Sequence, residues 1–251
     1  MSTTWQQRVT AGGATAALVV GTVAASAGTA SAAAGPAAPT VAVAIHQTNL
    51  VSDQPGVAAV TDPSLVNPWG MSFGTGATPT PVWVSDNGSD STTLYRGATR
   101  PPTGAKVPLT VTIPWGAPTG QVFNTSATDF VVSSGAASGA AKFIFASETG
   151  YITGWSPNVP AAGSTAAQTA VHIAGAVFKG LAVATFQGAQ YLYAADFHNG
   201  KIDVFNNAFK QQKWGAAAFR DVLLPKGYAP FNIQALRGAL YVTYAKQDAD
   251  K

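Results

Sequence analysis

Polar residues in five separate segments of this sequence are of the types that bind a hard divalent cation or a polar ligand. They comprise carboxylates, amides and one imidazole, namely Asn67, Asp86, Asn87, Glu148, Asp196, His198 and Asn232. Ca²⁺ and Mg²⁺ take oxygen ligands from several chain segments, and a bound metal polarises a substrate carbonyl or activates water. The pattern therefore predicts a candidate Ca²⁺, Mg²⁺ or ligand site, with Asp86, Glu148 and Asp196 as the candidate metal ligands.

The same residues also have a simpler interpretation as turn residues. Tight hairpins require Asp, Asn and Gly, because these residues adopt positive φ angles and bond to their own backbone. Turn chemistry is favoured over a metal site for this reason. The imidazole of His198 has no placed partner, which makes it weak evidence for acid–base chemistry. Whether the protein is an enzyme is left open.

Composition and motifs exclude several other kinds of site. The chain has 251 residues, of which 47% are apolar and 10% charged, and it contains no cysteine. Thiol chemistry and disulfides are therefore excluded. The serine hydrolase elbow, the zincin motif and the phosphate-binding loop are all missing from the sequence. Its 14 basic residues form no run of the kind that nucleic-acid binders carry. The Ser-rich segment 133–139 is interpreted as a flexible loop.

The elements that must position the polar residues are short strands. Apolar residues alternate with period two from residue 41 onward, and Gly, Pro, Asn and Asp interrupt the runs, so an all-β chain is predicted. Similar strands that end in polar turns occupy residues 81–88, 142–150, 190–200 and 239–248. The turn glycines Gly88, Gly150 and Gly200 lie 62 and 50 residues apart, a period typical of propeller blades.

A β-propeller of about four four-stranded blades is therefore predicted, and a β-sandwich is the alternative. In a propeller, the turns after the second strands and the connections into the next blade emerge on one face, around the central channel. The predicted cation or ligand site would lie on that rim. Trp69, Trp83 and Trp155 are expected to pack between blades. Stacking of Trp69 or Trp115 against sugar rings is the less favoured alternative.

Longer phrases of the sequence resemble a known family. The phrases occupy residues 47–70, 83–88, 117–124, 143–155, 193–205 and 227–250. They resemble an uncharacterised family of secreted bacterial β-propeller proteins with NHL-like and YVTN-like repeats. The resemblance implies export and six blades. It transfers no catalytic residue, because that family has no established activity. Since its members continue beyond the last phrase, this chain is expected to be truncated at its C-terminus, with an open sheet edge.

The first forty residues differ from the rest of the chain. Arg8 is the only charged residue up to residue 40, the run 16–25 is the most apolar, and Ala30-Ser31-Ala32 fits a cleavage site. This order predicts a signal peptide over residues 1–32 and secretion by the general secretory route. A membrane anchor is the alternative, but the run is poor in Leu, Ile and Phe. Residues 33–40 are predicted to be a flexible lead-in, and residues 41–251 a partial propeller.

Two functions remain open at this point. The first is an exported, non-catalytic binding or scaffold module with a protein or carbohydrate ligand, no nucleic-acid partner, and no stable membrane span after signal cleavage. The second is a metal-assisted propeller hydrolase or lactonase that uses the carboxylate rim. The enzyme requires several rim oxygens to converge within metal-ligand distance. The binding module does not.

Overall fold

The computed structural model describes residues 47–76, 78–97, 103–215, 218–219 and 221–248. Those residues form strands and turns with one 3₁₀ helix at Asn87–Ser89 and no α-helix, which confirms the all-β prediction. Within these ranges there is no helix with the length and apolarity needed to cross a membrane. The predicted signal peptide, the lead-in and the start of the domain at residue 41 lie outside the described residues. They stay predictions.

The strands form six sheets. The first is a parallel pair, β1 (Val51–Ser52) and β2 (Val60–Thr61). Sheet I contains β3 (Pro68–Ser72), β4 (Val82–Asp86), β5 (Ser91–Arg96) and β6 (Ala105–Thr112). Sheet II contains β7 (Pro118–Phe123), β10 (Phe143–Ser147), β11 (Tyr151–Trp155) and β12 (Gln168–His172), and the hairpin β8 (Val131–Ser134) and β9 (Ala137–Ala140) lies between β7 and β10 in the chain.

Sheet III contains β13 (Phe178–Phe186), β14 (Ala189–Asp196), β15 (Lys201–Asn206) and β16 (Gln211–Gln212). Sheet IV contains β17 (Tyr228–Leu236) and β18 (Ala239–Lys246). All pairings within sheets I to IV are antiparallel, and each strand lies beside the next strand of its own sheet. No closed barrel or ring of blades is identified in the described part of the chain, so the number of blades stays a prediction.

Apolar side chains fill the space between each pair of consecutive sheets. Between sheets I and II the indole of Trp83 stacks on Phe143 at 4.0 Å and lies 4.7 Å from Trp155. These contacts confirm that Trp83 and Trp155 pack between sheets. The core between sheets II and III includes Ile144, Ile152, Phe178, Leu192 and Phe205, and the core between sheets III and IV includes Tyr193, Val204 and Ile233. Burial of each such side chain contributes about 2 kcal/mol.

The first strand of each of these four sheets carries a β-bulge near its start. Three residues of β3 oppose two of β4 between Pro68 and Met71, and the same offset occurs in β7 opposite β10. In β13 and in β17 two residues oppose one, at Phe178/Gly180 and Pro230/Asn232. A bulge bends its strand and increases the local twist. The four first strands therefore share one irregularity at an equivalent position.

Glycines at these bulges allow the first strands of neighbouring sheets to touch. A Cβ atom at Gly70 would lie 2.3 Å from the carbonyl oxygen of Thr119, and one at Gly120 would lie 2.3 Å from the amide nitrogen of Leu181. At Gly180 the nearest atoms of the next sheet are those of Asn232. Backbone thus approaches backbone at distances that exclude any side chain.

Two elements differ from the sequence-based expectation. The strand β7 begins with Pro-Thr-Gly, which breaks the alternation by which strands were recognised, so it was missed. The Ser-rich segment at 133–139 is a β-hairpin and not a flexible loop, with a two-residue turn at Gly135. It is ordered because Val132 and the preceding Phe130 are buried in the core between sheets II and III.

Substitution of Gly120 by alanine should destabilise the fold. The new methyl group would meet the backbone of residues 180 and 181, which cannot move without displacing sheet III. We expect the free energy of unfolding, measured by urea denaturation, to fall by about 2–4 kcal/mol. Gly76→Ala is the matched control because open space surrounds Gly76, and its effect should stay within about 0.5 kcal/mol. Equal effects of the two substitutions would contradict the role of the close contact.

Candidate functional site

The residues around the four bulges define one end of the sheets. Each first strand carries one residue just before its close-contact position, which is Gly70, Gly120, Gly180 or Asn232. These preceding residues are Trp69, Thr119, Lys179 and Phe231. The residue that follows each second strand lies at the same end, because the second strand runs antiparallel to the first: these are Asn87, Glu148, Phe197 and Gln247. Side chains from both positions, together with Asn67 just before β3, form the contacts described next.

A chain of polar contacts links three sheets at this end. The amide of Asn67 donates from Nδ2 to Oδ1 of Asn87 at 3.0 Å, and Nδ2 of Asn87 donates to Oε2 of Glu148 at 2.9 Å. The other oxygen of Glu148 accepts a hydrogen bond from Nζ of Lys179, on β13. Glu148 is therefore held on both oxygens, by an amide from sheet I and an ammonium group from sheet III.

Aromatic rings continue the contacts to sheet IV. Nζ of Lys179 lies 5.0 Å from the ring centroid of Trp69, a cation–π distance. The indole of Trp69 lies 5.8 Å from the ring of Phe231, which in turn meets Phe197 edge-on at 5.5 Å. We call this group the rim site, and it consists of Asn67, Trp69, Asn87, Glu148, Lys179 and Phe231. It brings together residues from all four sheets.

Trp69 corrects one expectation from the sequence. It was expected to pack between sheets, as Trp83 does, but 36% of Trp69 is exposed. Its bulged strand holds the indole at the end of the sheet, where Lys179 and Phe231 contact it while part of the ring stays open to solvent. Lys179 and Phe231 were not among the site residues predicted from the sequence. The signal that would have found them is their shared place just before the close-contact position, which becomes visible once β7 is aligned with the other first strands.

Asp86 is placed differently from its neighbour Asn87. Its carboxyl group is fully buried in sheet I, and neither oxygen has a hydrogen-bond partner in the described part of the chain. Burial raises the pKa of Asp86 to about 7, the negative charge of Asp62 adds to the rise, and the nearby Thr93 offsets it only in part. Close to neutral pH this carboxyl group is thus partly protonated.

Asp62 shows the opposite behaviour in the same region. Burial alone would raise its pKa, but hydrogen bonds from Nζ of Lys106 and from the hydroxyl of Tyr95, each at 2.6 Å, outweigh burial and lower it. Burial and the bond to Asp62 in turn raise the pKa of Tyr95. The carboxylate of Asp62 is therefore the ionised one, and Asp86 is the one that retains a proton.

Asp196 and the two remaining candidates lie in or beside turns. Asp196 is buried and accepts bonds from Nδ2 of Asn199 at 2.7 Å and from the amide nitrogens of Asn199 and Val177 at 3.2 Å. His198 is exposed in the same turn, where its carbonyl accepts from Gln247 at 3.2 Å. Asn232 is exposed at the bulge of β17, and its Oδ1 accepts from the amide of Ile233 at 2.8 Å.

The predicted carboxylates do not form a metal cluster. Among the described residues no group of three or more His, Asp or Glu side chains is arranged to hold a metal ion. Glu148 bonds to an ammonium group, Asp196 to its own turn, and Asp86 is buried within sheet I. Of the predicted rim residues, the structure brings together Asn67, Asn87 and Glu148.

The described residues thus define an all-β protein of successive antiparallel sheets with a polar and aromatic site at one end. No protein-family model matches the chain. It is similar to two uncharacterized proteins of Acanthamoeba polyphaga mimivirus. The protein R648 is 30% identical over 203 residues, which cover 79% of this chain and 48% of R648. The protein L690 is 30% identical over 219 residues, which cover 84% of this chain and 55% of L690.

These relatives correct the family assignment made from the sequence. The assignment to a secreted bacterial propeller family with NHL-like repeats was wrong, since the relatives found are viral proteins and no family model matches. The six blades implied by that family lose their basis with it, whereas the expected truncation is untested and stays a prediction. The chain spans about half the length of the curated relatives it matches.

The buried carboxyl group of Asp86 predicts a pH-dependent stability. The folded state keeps this proton up to about pH 7, whereas the unfolded chain loses it near pH 4. The free energy of unfolding should therefore decrease as the pH rises from about 4 to about 7, and level off above that range. The decrease is at most about 4 kcal/mol. Urea denaturation at successive pH values measures it.

Two variants test whether Asp86 is the cause. Asp86→Asn cannot ionise and should reduce this decrease, leaving the part that comes from Asp203, whose pKa burial also raises. Asp53→Asn, in the partly exposed segment that follows β1, removes the same charge and should keep the wild-type slope. A slope in Asp86→Asn as steep as that of the wild type would show that Asp86 is not the cause.

Proposed function

We propose that the four sheets are blades of a β-propeller. The meander order of sheets I to III and the direct contact between their first strands support this arrangement. A second support is the 5.8 Å contact between Trp69 of sheet I and Phe231 of sheet IV. In a flat stack with sheets about 10 Å apart, the first and fourth sheets would be separated by about 30 Å. Blades around a common axis remove that separation.

The function that the geometry supports best is that of a non-catalytic binding module, with the rim site as its contact surface. The observation that supports this function is the exposure of Trp69: its indole stays partly open to solvent although Lys179 and Phe231 both contact it. Partly exposed aromatic rings that are fixed by their neighbours are typical anchors of binding surfaces, because little conformational entropy is lost on binding.

The chemistry of the rim site indicates what kind of ligand it takes. The charge of Lys179 is balanced by Glu148, so the site carries no strong net charge. Asn67 and Asn232 are exposed beside the aromatic rings, and an amide side chain both donates and accepts hydrogen bonds. Amides beside an indole suit the alternating donors and acceptors of a peptide backbone. A protein loop is therefore the proposed ligand, and a carbohydrate is the other class that the experiment must distinguish.

A metal-assisted hydrolase or lactonase is the less favoured function. Its carboxylates would have to face a shared cation, but Glu148 already faces the ammonium group of Lys179. Asp86 is buried in sheet I, and Asp196 caps its own turn. Each of these three groups is thus accounted for by local contacts or burial without a catalytic role.

We also propose that the protein is exported, on the basis of residues 1–32 alone. Their order of charge, apolar run and small residues is that of a signal peptide. N-terminal sequencing of protein recovered from the medium of an expressing bacterial culture tests this proposal. Export predicts a mature chain that starts near residue 33. An intact Met1 on protein that stays inside the cells would refute it.

Selection from a phage-displayed library of random heptapeptides tests the rim site. We expect the wild-type chain to enrich peptides whose affinity falls by about 30-fold in Trp69→Ala, the usual loss for a central aromatic anchor. Lys179→Met should weaken the same peptides, because it removes the charge that lies over the indole. Met71→Ala is the matched control, since Met71 is exposed on the same strand and lies outside the rim site.

Two outcomes would decide against the binding module as proposed. In the first, no selected peptide requires Trp69 for binding, but an oligosaccharide from an array does require it. The ligand would then be a carbohydrate. The other is a rise in melting temperature with CaCl₂ or MgCl₂ that disappears in Glu148→Gln, since a metal bound by the native state must stabilise it. That result would favour the metal-assisted enzyme.

A further inference from the structure

Three aromatic rings form a continuous stack beside the start of β7. The indole of Trp115 lies 4.8 Å from the ring of Tyr151 with an interplanar angle of 12°. Tyr151 in turn lies 4.1 Å from the imidazole of His172, again at 12°. Tyr151 and His172 are register partners on β11 and β12, so the strand pairing in sheet II fixes the positions of these two rings.

The outermost ring of this stack faces solvent. Trp115 is 61% exposed. Because Tyr151 covers one face of the indole, the exposed area lies on the opposite face and along the edges. An apolar ring of this size is usually buried, and its exposure on a flat, supported surface indicates a contact site.

The backbone that presents Trp115 is strained and held in place. Trp115, Gly116 and Ala117 all have positive φ angles, of 71°, 71° and 46°. For a bulky aromatic residue this conformation is strained and persists only where the surroundings enforce it. Here Oδ1 of Asp90 accepts from the amide of Ala117 at 2.8 Å, and the indole Nε1 donates to Thr169 at 2.9 Å. The ring is therefore fixed before any ligand arrives.

We propose that the Trp115 stack is a binding site for a pyranose ring of a neutral carbohydrate. The apolar C–H face of a pyranose stacks on an open indole face, and its hydroxyl groups need acceptors at the edge of the platform. The exposed carboxylate of Asp90 lies against Gly116 and supplies them. A nucleic-acid base would also stack, but the negative charge of Asp90 repels a phosphate backbone.

This site lies at the same end of the molecule as the rim site but does not depend on it. The backbone amide of Glu148 donates to the carbonyl of Ala117 at 3.1 Å, so the loop that carries Trp115 adjoins the turn that carries Glu148. The indoles of Trp69 and Trp115 contact different partners. Each site can thus be removed without the other, and failure of one proposal leaves the other standing.

Affinity electrophoresis of the full chain tests the proposal. The probes are hydroxyethylcellulose, glycol chitin, xylan and laminarin, each cast separately into a native gel. We expect at least one of them to retard the wild-type protein, and cellohexaose or chitohexaose in solution to change its tryptophan fluorescence. Trp115→Ala should weaken that binding by at least tenfold, Trp115→Phe by less, and Trp69→Ala should leave it unchanged.

A second variant separates loss of binding from loss of folding. Trp115→Gly removes the platform but suits the positive φ angle, because glycine adopts it without strain. It should melt as cooperatively as the wild-type chain and still fail to bind the glycan. The proposal is overturned if none of the four polysaccharides retards the wild-type protein, or if Trp115→Gly binds as tightly as the wild type. Retardation by poly(dT) that depends on Trp115 would instead assign a nucleic acid to the stack.

Discussion

Backbone contact between the first strands of neighbouring sheets is the constraint on which the rest of the structure depends. Gly70, Gly120 and Gly180 each leave room for the next sheet where even a methyl group would collide with main-chain atoms. The bulge at each of these positions offsets one residue and increases the twist. This contact fixes the distance between the sheets at that end, and the apolar cores between the sheets are packed at that distance.

The same contact places the rim site. Because each close contact occurs at an equivalent residue, the side chains just before it lie at the same level in every sheet. Trp69, Lys179 and Phe231 therefore meet although more than 50 residues separate each from the next in the chain. Thr119 occupies the fourth such position and bonds to the carbonyl oxygens of Ala146 and Phe178. The short side chain of Thr119 therefore joins sheets II and III. The rim site is formed by the longer side chains of Trp69, Lys179 and Phe231.

Equivalent positions at the ends of the second strands differ in chemistry because their surroundings differ. Asp86 is desolvated in sheet I, and burial raises its pKa to about 7, so that it is partly protonated near neutral pH. Asp196 holds the same place in sheet III but receives hydrogen bonds from its own turn. Glu148, one residue further along in sheet II, reaches the rim and meets Lys179. One predicted set of carboxylates thus has three separate roles.

Local patterning in the sequence determined the strands and the turns between them. Alternation of apolar residues was enough to identify β4, β10, β14 and β18, because successive side chains of a strand point to opposite faces of its sheet. It missed β7, where Pro118 and Gly120 serve the contact between sheets. Only the tertiary structure decided that Trp69 is exposed while Trp83 is buried, and that Lys179 meets Glu148. Those outcomes depend on which sheet covers a side chain, and no local pattern records that.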